Sequence, residues 1–341
     1  MLSQIKPPRR ISMSQTLHMQ VAINHAPEAI FRVLTDPAIL PSWFAEHADV
    51  SIPDKRYDFW GRFTPDGPNR EQGHHPLLEI TTNRLLKYRW RLKSEDTEVK
   101  IVLEMRGEQT IVVVQHTILA ESPSYSIHGY EDFWFLSLEN LRRFLDGKPV
   151  ARCDFTGPKT GNIQHSLDID GTPEAVFDTL LRPDQLNRWI ASNAVVEPYV
   201  GGRYDYGWNG VGPAKILELI PNEKLAMLSP SHSGTTDGSG DTIITWTLEE
   251  SGGKTRLTII HSGFAPNADT EGLQWGWLNF TNWVRSIVEY GDEWQPPVTK
   301  LRDGLESYYA AAISAAQATI LMIEETSNQP DVQKEPRSAE N

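Results

Sequence analysis

The sequence predicts an α+β protein with two tandem domains, each a curved antiparallel sheet wrapped on a long C-terminal helix. The first observation is an internal repeat: VAINHAPEAIFRVLTDPAILPSWF, from Val21 to Phe44, aligns with LDIDGTPEAVFDTLLRPDQLNRWI, from Leu167 to Ile190. The second is the period of the repeat, which is the length of a whole domain rather than of a solenoid unit of roughly 20–50 residues. The third is that both copies show the same order of strand and helix patterns.

The repeat divides the chain into six segments. We expect a disordered N-terminal extension at 1–17, domain 1 at 18–146, a linker at 147–162, domain 2 at 163–297, an extra helix at 298–325 and a disordered tail at 326–341. The extra helix is predicted from an alanine-rich apolar stripe that lies outside the repeat. For this helix the sequence leaves two alternatives, docking on one of the domains or pairing with a second copy of the chain as a homodimer.

Each copy opens with an alternating strand, which contains Val21 in copy one and Leu167 in copy two. A helix follows, and in copy two its start is marked by Thr172, which can cap it, and by Pro173, which needs no donor at the first helical position. A proline ends this helix in both copies, and a second short helix follows. Several alternating segments then predict antiparallel strands.

A long helix closes each copy. Its apolar stripes are Trp134, Leu138, Leu141 and Leu145 in copy one, and Trp277, Phe280, Val284 and Ile287 in copy two. A curved antiparallel sheet has one apolar face to cover, and this helix is the natural cover. The space between sheet and helix is therefore the expected ligand cavity.

Composition excludes several classes of function. The net charge is −13, and residues 1–150 contribute only −1 of it, so the second half should repel nucleic acid. The single cysteine, Cys153, cannot form an internal disulfide. No apolar run reaches the roughly 20 residues of a membrane span. The basic N-terminus lacks the apolar region of a secretory signal. We therefore expect a cytoplasmic protein. Metal and nucleotide motifs are missing as well, so neither a metal nor a cofactor is expected.

Two histidines are the polar positions of greatest interest. His116 and His261 each lie at the end of a strand, on the face that carries aliphatic residues, so each should point inward. One interpretation is a general base or a hydrogen-bond donor to a ligand. The other is a histidine whose ring nitrogens fix the neighbouring structure, because no carboxylate stands at a spacing that would orient the ring. No residue is assigned a catalytic role.

Aromatic residues of copy two are the other candidate ligand contacts. They are Trp189, Tyr204, Tyr206, Trp246, Trp275 and Trp277. Such side chains suit a flat apolar ligand with few polar groups, and they equally suit ordinary core packing. Arginines on the strands, Arg89 and Arg91 in copy one, would favour an anionic ligand if they pointed inward and would merely be solvated if they pointed outward.

The sequence resembles a known superfamily in the segments PEAIF, GGRYDYGW, TRLTIIHSGF and GWLNFTNWV. These look like the SRPBCC superfamily of START-type lipid carriers and the birch pollen allergen, and the branch of homologues of the activator of the heat-shock protein 90 ATPase. The resemblance implies a helix-grip fold for both copies. Copy one departs from the pattern at Asp54-Lys55, where copy two has Gly201-Gly202.

Three functions remain in competition. The first is binding of a small apolar or aromatic molecule in the cavity between sheet and helix. The second is a cyclase or hydrolase acting on a hydrophobic or polyketide-like substrate, since the resemblance extends to tandem aromatase/cyclases. The third is a chaperone-associated role as a homologue of the ATPase activator. The separate N-terminal domain that such activators carry is not found in this sequence.

Overall fold

The computed structural model describes residues 15–208, 212–230 and 240–299. Copy one consists of β1 (Thr16–Ile23), α1 (Pro27–Thr35), α2 (Leu40–Trp43), β2 (His47–Ser51), β3 (Arg56–Trp60), β4 (Leu77–Thr81), β5 (Leu85–Leu92), β6 (Glu95–Arg106), β7 (Gln109–Ile118), a 3-10 turn (Ile127–Tyr130) and α3 (Glu131–Leu145). This is the predicted order of strand, two short helices, several strands and one long helix.

Copy two repeats the plan. Its elements are β8 (Ile163–Ile169), α4 (Pro173–Leu181), α5 (Pro183–Leu186), β9 (Val195–Val196), β10 (Arg203–Asp205), β11 (Ala214–Ile220), β12 (Lys224–Ser229), β13 (Thr242–Ser251), β14 (Lys254–Ser262) and α6 (Glu271–Tyr290), followed by a 3-10 turn (Gly291–Glu293) and β15 (Val298–Thr299). Thr172 caps α4 as predicted, because its hydroxyl accepts a hydrogen bond from the backbone N–H of Ala175 at 3.2 Å.

The two sheets confirm the predicted fold class and its duplication. Copy one has the antiparallel order β15-β1-β7-β6-β5-β4, and copy two has β8-β14-β13-β12-β11-β10-β9. Val21 pairs with Val112 of β7, and Leu167 pairs with Leu257 of β14, so the first strand of each copy lies beside its last. The copies differ at β2 and β3, which form a separate two-stranded ribbon, whereas β9 and β10 extend the sheet of copy two.

The long helices α3 and α6 pack against each other, side by side and in the same direction. Asp132 near the start of α3 lies 3.5 Å from the amide of Asn279, and Tyr290 at the end of α6 donates a hydrogen bond to Asp146 at 2.7 Å. Each helix therefore covers its own sheet with one face and meets the other copy with the opposite face. The two copies consequently share one continuous core.

Buried charge lies within this helix–helix contact. Arg143 is completely buried and binds the carboxylate of Glu289 at 2.8 Å and the hydroxyl of Ser286 at 3.0 Å. Glu139, also completely buried, accepts hydrogen bonds from Ser286 at 2.6 Å and from the indole of Trp294 at 3.2 Å. Because buried charges are tolerated only when they are paired and hydrogen-bonded, these bonds fix how the copies sit on each other.

The ends of the chain differ from the expected boundaries. β1 begins at Thr16, inside the extension expected at 1–17, and residues 1–14 lie outside the described part. Val298–Thr299, the start of the helix expected at 298–325, form a strand that pairs with Met19 and Gln20 of β1. The chain thus returns to the first sheet after copy two. The rest of that helix and the tail at 326–341 lie outside the described residues.

Candidate functional site

The space between sheet and helix in copy one is almost completely filled by side chains. A cavity of about 20 Å³ remains there, lined by residues such as Tyr57, Tyr88, Trp134 and Leu138. A single water needs at least roughly 10–15 Å³, so this volume holds one water and no organic ligand. The interior of copy one is therefore a packed core.

His116 forms part of a buried chain of hydrogen bonds in this core. Its Nδ1 accepts from the indole N–H of Trp134 at 2.9 Å, and its Nε2 lies 2.8 Å from the hydroxyl of Thr97. An indole N–H only donates, so the ring proton is on Nε2 and is donated to Thr97. Thr97 in turn donates to the carbonyl of Trp90 at 2.7 Å, and the ring of Trp90 stacks on His116. Burial lowers the pKa of His116 to about 3, so the ring is neutral.

His261 repeats the same arrangement in copy two. Its Nδ1 accepts from the indole of Trp277 at 2.9 Å, and its Nε2 lies 2.8 Å from the hydroxyl of Thr242. His261 is 7% exposed, whereas His116 is 0% exposed. Both rings therefore have two engaged nitrogens, and this geometry matches the second interpretation from the sequence, a histidine that fixes its surroundings.

The aromatic candidates of copy two pack mostly on one another. Trp189 is buried, donates to the carbonyl of Thr179 at 3.1 Å and meets Trp246 edge to face. Tyr204 is buried and donates to the carbonyl of Leu180, and burial raises its pKa well above the ordinary range. Tyr206 packs against Tyr204 and stacks on Trp208. These four candidates thus belong to the aromatic core of copy two.

Trp275 has a different environment. It lies in the second turn of α6 and contacts residues outside copy two: the ring of Tyr130 in copy one at 5.7 Å and the ring of Phe155 in the linker at 5.0 Å. The sequence placed Trp275 beside the other aromatics of copy two because it considered one copy at a time. Trp275 instead lines an opening between the copies.

This opening, which we call the junction groove, has a volume of about 630 Å³. It is lined by residues of the 64–72 loop, the hairpin tip at 91–94, Tyr130, the linker at 155–159, and Glu271 and Trp275 of α6. Copy one, the linker and copy two all contribute. Its volume lies within the range of roughly 300–1,000 Å³ that is usual for small-molecule sites.

The polar residues of the junction groove are held by hydrogen bonds. The carboxylate of Asp66 accepts from the backbone N–H of Lys93 at 2.9 Å and from the hydroxyl of Tyr130 at 3.3 Å. Burial raises the pKa of Tyr130 far above its ordinary range, so its hydroxyl remains a donor. Lys159 binds the carboxylate of Glu271 at 2.7 Å, and this hydrogen bond raises the pKa of Lys159.

Backbone strain is concentrated at the same place. Of the six non-glycine residues with left-handed φ in the described part of the chain, Asp66, Lys93 and Ser94 line the junction groove, with φ of 53°, 48° and 67°. This conformation is unfavourable for residues with a Cβ. Lys93 and Ser94 adopt it because they form the two-residue turn of a hairpin, which fixes the backbone of the groove wall at this point.

Sequence reasoning missed most of this groove. The sequence leaves the orientation of Arg91 open, and Asp66, Lys93 and Lys159 lie on loops and in the linker, where no periodicity signals a side-chain direction. The linker cysteine, Cys153, is buried, and burial raises the pKa of its thiol to about 12, which disfavours a thiolate nucleophile. The described residues contain no cluster of three or more metal-ligating side chains, and none of the described helices is long and apolar enough to span a membrane.

Comparison with known proteins identifies the family. The family described as Activator of Hsp90 ATPase homolog 1-like protein matches residues 24–146 and, a second time, residues 170–289. The chain belongs to this family. The two matches coincide with the two copies, and they confirm the tandem arrangement expected from the repeat. A search of curated proteins gives no match.

Several solved structures are similar to parts of this family member. The solution structure of the Aha1 dimer from Colwellia psychrerythraea is 26% identical, with a TM-score of 0.35, over 39% of this chain and 99% of that chain. DynU16, from the dynemicin biosynthetic locus, is 16% identical, with a TM-score of 0.32, over 81% of this chain and 98% of that chain. An HSP90 activator from Plasmodium falciparum is 17% identical, with a TM-score of 0.32, over 41% of this chain and 100% of that chain.

Proposed function

We propose that the protein binds a small molecule in the junction groove. The observation that carries this proposal is an opening of about 630 Å³ whose wall combines the rings of Tyr130, Phe155 and Trp275 with a few oriented polar groups. Binding sites for small molecules are typically concave, largely apolar and supplied with a small number of placed polar groups. They also occur preferentially where domains meet.

The packing inside copy one favours the junction groove over a ligand cavity between the sheet and the helix of that copy. A volume of about 20 Å³ would have to grow more than tenfold to reach the lower end of the usual range. Such growth would require displacing closely packed core side chains. Shifts of core side chains and backbone of this kind typically cost roughly 1–3 kcal/mol, occasionally more. The junction groove requires no displacement.

The hydrogen bonds of the two histidines support binding over the cyclase or hydrolase alternative. That alternative requires one acid or base residue, and the two inward histidines are the candidates for a general base. A general base must lie within hydrogen-bond reach of the proton it removes, and His116 already uses both nitrogens within the protein. With its pKa lowered to about 3, His116 is also a weak base near neutral pH.

A thermal-shift screen with a blocked variant tests the proposal. Gln72 is exposed and lines the groove, so Gln72→Trp places a large ring in the opening without disturbing the core. Gln109→Trp, at the exposed β6–β7 turn, is the matched control. We expect compounds that raise the melting temperature of the wild type and of Gln109→Trp, but not of Gln72→Trp. A ligand present at a concentration of 100 times its Kd raises the free energy of unfolding by about 2.7 kcal/mol, which is large enough to be detected as a shift in melting temperature.

Two results would contradict the proposal. One is a set of stabilising compounds that act equally on Gln72→Trp and the wild type, which would place their site elsewhere. The other is a chemically broad library in which no compound distinguishes the two proteins.

A further inference from the structure

Two cations stand out among the residues that line the junction groove. Lys159 and Glu271 neutralise each other through their 2.7 Å ion pair. Arg91 and Lys93 form no ion pair with any residue that the structure describes, although both line the groove. The charged lining residues are thus three cations, Arg91, Lys93 and Lys159, and two carboxylates, Asp66 and Glu271. Asp96, opposite Arg91 on the neighbouring strand, is paired with Arg89 at 3.5 Å. The lining therefore carries an excess of one positive charge.

This excess contrasts with the rest of the chain, which has a net charge of −13. A strongly acidic protein repels anions at long range, so a polyanion such as nucleic acid is disfavoured. A small anion that inserts a single charged group feels mainly its immediate neighbours, because charges beyond a Debye length of about 8–10 Å are screened. The local charge thus favours a small anion over a large one.

The cationic hairpin is held in place before any ligand arrives. Lys93 and Ser94 form the two-residue turn between β5 and β6, both with left-handed φ, a turn that usually contains Asn-Gly. The backbone N–H of Lys93 is bound to Asp66, and the ammonium group of Lys93 lies 5.5 Å from the ring of Tyr125. Preorganisation of this kind lowers the entropy cost of binding.

The aromatic wall is linked directly to this hairpin. The ring centroids of Tyr130 and Trp275 lie 5.7 Å apart, and the hydroxyl of Tyr130 binds the same Asp66 oxygen that accepts the Lys93 N–H. Two hydrogen bonds therefore connect the aromatic surface with the cationic turn.

We propose that the ligand of the junction groove is a small aromatic or flat apolar anion. Its rings contact Trp275 and Tyr130, and its charged group, a carboxylate, sulfonate or phosphate, binds Arg91 and Lys93. Arginine suits this role because its guanidinium donates in parallel to two oxygens of such a group. The inference rests on the proposed binding function and specifies its ligand class.

The test uses two fluorescent probes that differ in one charged group. 8-Anilinonaphthalene-1-sulfonate and N-phenyl-1-naphthylamine share their rings, and only the first carries a sulfonate. Both are titrated against the wild type, Arg91→Gln, Lys93→Gln and Gln72→Trp. Arg89→Gln is the matched control, because Arg89 lies on the same strand face as Arg91, is paired with Asp96 at 3.5 Å and does not line the groove.

We expect Arg91→Gln and Lys93→Gln each to weaken sulfonate binding about 3- to 10-fold. The effect is smaller than for a buried ion pair because both side chains are exposed and solvent screens their charge. The neutral probe should change less than about twofold in these variants, and Arg89→Gln should behave as the wild type with both probes. Gln72→Trp should weaken both probes. Benzoate and phenyl phosphate should compete with the sulfonate, which separates carboxylate from phosphate ligands, and inorganic phosphate alone should compete far less.

The outcomes separate the two proposals. If Gln72→Trp weakens both probes but the charge variants change neither, the groove binds small molecules without selecting anions, and only the inference on ligand class is wrong. Equal weakening by Arg89→Gln would show a general charge effect and would also refute it. If inorganic phosphate competes as well as phenyl phosphate, the aromatic contact is refuted. If Gln72→Trp weakens neither probe, the proposed function itself fails.

Discussion

The hydrogen-bond chain through His116 allows a quantitative test of its structural role. His116→Ala removes the acceptor of the Trp134 indole N–H in a region with no solvent access. A buried donor left without a partner costs about 1–3 kcal/mol. Thr97 loses its hydrogen bond to His116 but keeps its bond to the carbonyl of Trp90, so it adds less to the destabilisation than the unpaired indole does.

The lost volume adds a second contribution. Removing an imidazole leaves a cavity on the order of 60 Å³, which at about 24 cal/mol per Å³ costs about 1.5 kcal/mol if the surroundings do not collapse. Together with the unpaired indole, the expected destabilisation is about 3–4 kcal/mol. For a domain of this size, that corresponds to a decrease in melting temperature of about 10 °C. His116→Phe retains the volume and the stacking on Trp90, so it isolates the polar contribution.

Hydrogen exchange followed by mass spectrometry is the suitable assay, because a protein with two domains need not unfold in one step. At pH 8, where histidine is neutral in both folded and unfolded chains, amides of β6, β7 and α3 should lose protection in His116→Ala. His261→Ala, the equivalent change in copy two, should instead affect β13, β14 and α6 first. Unchanged exchange in His116→Ala, combined with weaker ligand binding, would refute the structural interpretation.

Two further predictions concern acid sensitivity and the contact between the copies. Burial lowers the pKa of His116 and of His75 to about 3, below the value of about 6.5 in an unfolded chain. Between these two pH values the unfolded state binds more protons than the folded state. The free energy of unfolding should therefore fall as the pH decreases from 6.5 towards 3. Each histidine should cost about 2 kcal/mol at pH 5, and His116→Phe should reduce the pH dependence of the urea midpoint; an unaltered slope would contradict this. Arg143→Met should destabilise the protein by less than the roughly 3–5 kcal/mol expected for an isolated buried charge, because Glu289 keeps Lys148 at 3.4 Å as an ion-pair partner. Calorimetry should show a lower melting temperature; a value equal to or above that of the wild type would show that the Arg143–Glu289 pair does not stabilise the contact.

The regular elements were predictable because their signals are local and periodic. The repeat placed Val21 and Leu167 at equivalent positions, and each indeed lies on a first strand that pairs with a last strand. Inward alternation correctly placed both histidines in the interior. It did not reveal their partners, because Thr97 and Trp134 are 19 and 18 residues away from His116 and approach it only in the folded sheet and helix.

The junction groove was not predictable from one copy at a time. Trp275 follows the helical pattern of copy two, yet its neighbours Tyr130 and Phe155 belong to copy one and to the linker. The strand at Val298–Thr299 shows the same limit, since two residues give no periodicity, and their pairing with β1 depends on where copy two docks. Contacts between duplicated units are set by packing of α3 on α6, which no repeat alignment contains.

Duplication also explains how the groove arises where the two copies meet. The cationic turn and Tyr130 come from copy one, Trp275 comes from copy two, and Phe155 comes from the linker. These parts remain in register because the buried Arg143–Glu289 pair and the Glu139 hydrogen bonds fix α3 against α6. A single copy would supply either the charges or the tryptophan, but not both. The site we propose is therefore a property of the tandem chain, and changes that loosen the contact between the helices should weaken binding without altering any residue of the groove.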